Sequence, residues 1–128
     1  MTSRRHRRRL DERGQASIEW AIVFPVFLLV ILIAVQAAGY YSAKTAAQSA
    51  AAACAEHARG EGISGAQGRQ SAASIISQSG SMDSYTVDVS ASATQVSCTV
   101  SGRAHVIVNL GLGAIQQTAA MPKERLTR

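Results

Sequence analysis

Charge disappears from the chain between residues 20 and 43, and within that stretch positions 21–35 are apolar throughout, with Pro25 near the start. A helix over these 24 uncharged residues would be roughly 36 Å long at ~1.5 Å per residue, enough to cross a hydrocarbon core. Pro25 falls one and a half turns in, removes one backbone donor and predicts a gentle bend. Residues 37–58 are dominated by alanine with no proline, so the helix is expected to continue as one rod, Gly39 being a tolerated weak point. Tyr40, Ala43, Ala47, Ala50, Cys54 and Ala58 fall on one stripe of it. Small residues there allow close approach of a sheet or a neighbouring helix. Gly60, Gly62, Gly65 and Gly68 predict a loop, and residues 69–78 a short second helix with Ala72, Ile75 and Ile76 inward and Gly80 closing it.

The period then changes from 3.6 to 2. Tyr85, Val87, Val89 and Ala91 alternate with Thr86, Asp88, Ser90 and Ser92. Val96, Cys98, Val100, Ala104, Val106 and Val108 alternate with Ser97, Thr99, Ser101, Arg103 and His105. Both patterns are those of half-buried antiparallel strands, joined by a turn near residues 93–95. Gly102 is a candidate bulge. Residues 109–113 read as a turn and 115–121 as a weakly patterned third strand. The expected fold class is α+β: a long N-terminal transmembrane helix running into a small extracytoplasmic domain with a two- or three-stranded antiparallel sheet. The expected division is a basic leader over 1–14, the transmembrane and continuing helix over 15–58, and an α+β domain over 59–128.

Charge orients the span. Arg4, Arg5, Arg7, Arg8, Arg9 and Arg13 face only Asp11 and Glu12 in the first 14 residues, a net +4, while the rest of the 128-residue chain sums to +1 of the total +5. The high pI therefore describes a tail next to an apolar run, which the positive-inside rule explains without nucleic acid. The arginines place the N-terminus in the cytoplasm and residues from about Lys44 onward outside. Ile18, Pro25, Phe27 and Leu28 are read as membrane-embedded, with Trp20 on one side and Tyr40 and Tyr41 on the other at the aromatic belts. The alternative is a Sec-type signal or plain anchor of a secreted or membrane-anchored binding protein, with a cleavage site at Val35, Gln36 and Ala37.

The residues before the span are Arg13, Gly14, Gln15, Ala16, Ser17, Ile18, Glu19 and Trp20. A carboxylate against an apolar run needs a reason, since an acidic residue at a helix centre costs ~3 kcal/mol in the membrane. One reason is that Glu19 sits in the headgroup layer and complements the helix N-terminus. Another is proteolysis after Gly14, which makes Gln15 the first residue and Glu19 the fifth. The new ammonium of one subunit then neutralises the Glu19 of its neighbour at the membrane surface, where an unpaired carboxylate is costly. This is the logic of a class III signal, cut on the cytoplasmic side with the apolar helix retained.

This segment resembles the TadE-like pseudopilins of the tight-adherence (Tad/Flp) pilus system. Arg13, Gly14, Ser17, Ile18, Glu19 and Trp20 match the family pattern, and Pro25 matches its usual proline. The resemblance is strongest over residues 13–40 and extends weakly to Met121, Pro122, Lys123, Glu124 and Arg125, similar to a short charged tail in some members. It implies a structural role in pilus assembly, processing by a prepilin peptidase and contacts with other pilus subunits through the N-terminal helix. A major Flp pilin is much shorter after its helix, so the extra domain points to the minor class.

Cys54 on the helix stripe and Cys98 on the apolar strand face are the only cysteines. Both fall outside the membrane in this topology, where disulfides form, so a Cys54–Cys98 disulfide is expected, with two free buried thiols as the alternative. His6, His57 and His105 are isolated, and no HExxH, paired CxxC, nucleophile elbow or phosphate-binding glycine motif occurs. No enzyme, cofactor or metal site is expected.

Overall fold

The computed structural model describes residues 4–60, 65–108 and 110–124, with side chains from residue 14 onward. It contains α1 (Arg4–Ala58), α2 (Gly65–Ser79), β1 (Met82–Ala91), β2 (Gln95–Ala104) and β3 (Ala114–Pro122). The class is α+β: a long apolar helix followed by a small domain carrying a three-stranded antiparallel sheet. The chain forms two compact units, Met1–Val35 and Gln36–Arg128.

The first unit is helical from Arg4. The helix therefore begins well before residue 15, where the expected helical stretch started, because arginine, leucine, glutamate and glutamine are all good helix formers and Gly14 is the weakest residue for a helix in the run. Pro25 lies within it. The side chains from Ile18 to Val35 are exposed, although most are large and apolar.

In the second unit the sheet is a meander in the order β1-β2-β3. The outer strands differ from the central one in burial: Val96, Cys98, Val100 and Ala104 of β2 are buried, whereas β1 and β3 are largely half-buried or exposed. The inward row of β2 meets Val87 and Val89 of β1 across Val100 and Cys98, and Ala119 and Met121 of β3 across Cys98 and Val96. The opposite face is hydroxyl-rich. Thr86 bonds Ser101 at 2.8 Å and Thr99 bonds Thr118 at 3.0 Å, so cross-strand polar pairs replace apolar packing there.

Against the inward face lies the alanine stripe. Ala43, Ala46, Ala47, Ala50, Ala51, Cys54, Ala55 and Ala58 are buried, at the three- and four-residue spacing of one helix face. Tyr40, expected on that stripe, is exposed. The core is completed by Ala72 and Ile76 of α2 with Ile115 of β3. α2 starts at Gly65 and not at Arg69, taking in two glycines assigned to a loop by composition. A Cβ on Gly68 would lie 2.9 Å from the Cys54 carbonyl oxygen and 3.2 Å from Ala58 Cβ, so the bare glycine is what lets α2 approach α1. Gly62 lies outside the described residues. Gly80, at φ +59°, ends α2 by donating its N–H to the Ile76 carbonyl at 3.2 Å.

Two further expectations change. β2 stops at Ala104, and Val106 and Val108 lie beyond it in the connection to β3, because the ladder on both sides ends at Arg103 and Ala104. The strand irregularity lies in β1, between Met82 and Ser84, opposite Arg103 and Ala104, and not at Gly102 itself. Gly102 instead receives the partner backbone at short range, as its neighbours show below. Of the expected charged tail, Met121 and Pro122 close β3, Glu124 pairs with Arg59 at 3.2 Å, and Arg125 lies outside the described residues.

Candidate functional site

The candidate site on the first unit is the segment where polar sequence gives way to the apolar run. Gly14, Gln15, Ile18, Glu19 and Trp20 occupy two turns of α1 and are exposed. Gln15 and Glu19 are four residues apart, so they share one face of the helix. Among the described residues, no atom beyond the helix's own backbone and the adjoining residues lies within 4 Å of a Cβ built on Gly14. Packing therefore gives no reason for glycine there, and a glycine inside a helix costs about 1 kcal/mol relative to alanine. Pro25, Phe27 and Leu28 follow on the same helix, the latter two 59% and 49% exposed. The helix is long and apolar enough to cross a membrane.

In the second unit, Cys54 and Cys98 are joined by a disulfide that closes a sequence separation of 44. It links α1 to the central strand, and both sulfurs are fully buried.

Three features of the second unit escaped the sequence pattern. Gln36 Nε2 donates to the Val108 carbonyl at 2.8 Å, and Gln36 Oε1 accepts from the Ile107 N–H at 2.7 Å. The signal was a single amide directly after the apolar run, still inside the uncharged stretch, where it is costly in lipid unless satisfied. Gly39, the expected weak point, leaves α1 unbroken, and its missing side chain makes room for the His105 carbonyl, 3.3 Å from where a Cβ would stand. His105, just past β2, has Nδ1 2.5 Å from Asp83 Oδ1 at the irregular start of β1. The hydrogen bond to that carboxylate, then its charge, raises the imidazole above the ordinary 6.5. Nothing local in the sequence announced this pair, because the two residues meet only through the β1–β2 register.

Among the described residues no group of three or more His, Cys, Asp or Glu side chains is placed to hold a metal ion. His57 lies exposed in the last turn of α1. The geometry therefore offers an exposed apolar helix with one carboxylate at its edge and a disulfide-closed sheet domain.

Residues 14–56 match the family model described as TadE-like protein. That match covers the Gly14-to-Glu19 segment, the apolar run and the alanine stripe up to the disulfide cysteine. No curated protein and no solved structure matches the chain.

Proposed function

From its TadE-like N-terminal third, we propose that this chain is a minor pseudopilin-like subunit or assembly factor of a Tad/Flp-type pilus, anchored by a single span and cut after Gly14 by a prepilin peptidase. The N-terminus is cytoplasmic and the chain from about Lys44 onward extracytoplasmic, as the arginine-rich leader and the disulfide both favour. The observation that carries the reading is the position of Glu19, one turn after Gln15 on the same face of an exposed apolar helix. Cleavage after Gly14 creates an ammonium on that face, and the ammonium of one subunit meets the carboxylate of the next at the lipid boundary. The unexplained glycine fits as well: a peptidase that needs a small residue before the cut accounts for Gly14 where packing does not.

Intact mass of the membrane-extracted chain tests the cut. Co-expression with a prepilin peptidase should shift the mass by the loss of residues 1–14, and Gly14→Val should abolish the shift without unfolding the helix. A mature chain beginning at Ala38 would instead identify a Sec signal and a secreted binding protein.

Glu19→Ala should insert and be processed as the parent does, yet fail to enter detergent-resistant assemblies with its partner subunits. Normal assembly of that variant would remove the pairing role from Glu19.

A further inference from the structure

Between β2 and β3 the chain turns aside in two described stretches, 105–108 and 110–113. Its ends are pinned together, since the Ala104 N–H donates to the Gly113 carbonyl at 2.9 Å. Ile107 is 66%, Leu110 72% and Leu112 77% exposed, and Val108 is 39% exposed. Among the other described residues of the Gln36–Arg128 unit the exposed large apolar side chains are three tyrosines, Tyr40, Tyr41 and Tyr85. An aliphatic cluster of this kind marks a surface that meets something apolar.

Gln36 locates it. The amide of Gln36 holds the connection through both of its hydrogen bonds, to Ile107 and Val108. A span of about 20 residues counted from Trp20 ends near Tyr40, so Gln36 falls about one turn short of the outer interface. At that depth an unsatisfied amide and unsatisfied backbone groups are both costly. Here each satisfies the other, and the aliphatic side chains are left facing outward from the same point. We propose that Ile107, Val108, Leu110 and Leu112 insert into the outer acyl-chain boundary of the bilayer that α1 crosses, seating the sheet domain on the membrane as a second, lipid-facing anchor. This rests on the reading of α1 as a membrane span. The occupant is lipid because the tether directly follows the apolar run in the chain, within the uncharged stretch that ends at Ala43, so the connection it holds is bound to the outer end of the span.

The test uses the full chain in phosphatidylcholine–phosphatidylglycerol vesicles whose phosphatidylcholine is brominated at a shallow acyl position. On a Trp20→Phe background, a single tryptophan is placed by Leu112→Trp, by Leu110→Trp, by Phe27→Trp as a reporter of the span, or by Thr99→Trp on the hydroxyl-rich sheet face. Leu112→Trp and Leu110→Trp should each lose roughly half of their emission to the bromines, as expected for side chains some 5–10 Å into the boundary. Thr99→Trp should lose almost none. Quenching at position 27 without quenching at 110 or 112 overturns the lipid anchor and leaves the span intact. No quenching at position 27 overturns the span and the anchor with it. Shielding at 110 and 112 that rises with protein density, without bromine quenching, assigns the patch to a second copy of the chain and overturns the proposal.

Discussion

Replacing Cys54 and Cys98 together by alanine is expected to lower the stability of the Gln36–Arg128 unit by about 4 kcal/mol, from the entropy of closing a loop of that length. For a domain of this size that corresponds to a fall of roughly 15–30 °C in the unfolding midpoint. The effect is large because little else in the core can compensate. Eight positions of α1 are buried against the domain, and seven of them are alanine. Alanine removes little apolar area from water, so the transfer term per residue is small. Cys54 and Cys98 are themselves among the five largest fully buried side chains, beside Ile76, Val96 and Val100. The bridge both fills the centre of the core and shortens the unfolded chain. Near-UV circular dichroism of the detergent-solubilised protein, oxidised and reduced, measures the difference without any mutation. Coincident unfolding midpoints for the two forms would show that packing of the alanine stripe alone holds the domain.

The second large effect is expected at Gly102. A Cβ there would stand 2.1 Å from the Ser84 carbonyl oxygen, 2.6 Å from Met82 Cε and 2.8 Å from Tyr85 Cα. The methionine end can move, but the other two atoms are backbone of β1, so the strand itself has to give way. Gly102→Ala should cost about 3 kcal/mol and Gly102→Val more, at or above the usual range for overpacking. The damage should be local to the start of β1, where the register already shifts between Met82 and Ser84. Urea unfolding gives the size of the effect. Hydrogen exchange places it, with the amides facing Met82, Ser84 and Tyr85 losing protection while the β2–β3 ladder keeps its own. A Gly102→Val variant as stable as the parent would mean that β1 can move away from β2 at no cost.

Gly14 makes the contrast. Both positions carry glycine in a regular element, yet one is enclosed by partner backbone and the other has open space around it. Substitution at Gly102 is a folding question, whereas at Gly14 it is a question of processing.

The long helix, the alanine stripe and the first two strands were legible in the order of residues. Each is a local periodicity: an apolar run free of charge, a three-to-four spacing of small residues, an alternation of valine with serine and threonine. These patterns repeat within a few positions of themselves, so no knowledge of distant neighbours is needed to see them. The Gly14-to-Glu19 segment was legible for the same reason, being short and set against the run. What the tertiary structure decided depends on residues that meet from far apart in the chain. β3 reads poorly because Gln116, Gln117 and Thr118 interrupt its apolar positions, and it forms because β2 offers a free edge for it to pair with. Val106 and Val108 continue the alternation of β2 yet leave the sheet, because pairing on both sides has ended and Gln36 holds their backbone elsewhere. The pairing of Asp83 with His105, the tight space at Gly102 and the docking of Gly68 on Cys54 likewise exist only once register and packing bring the partners together.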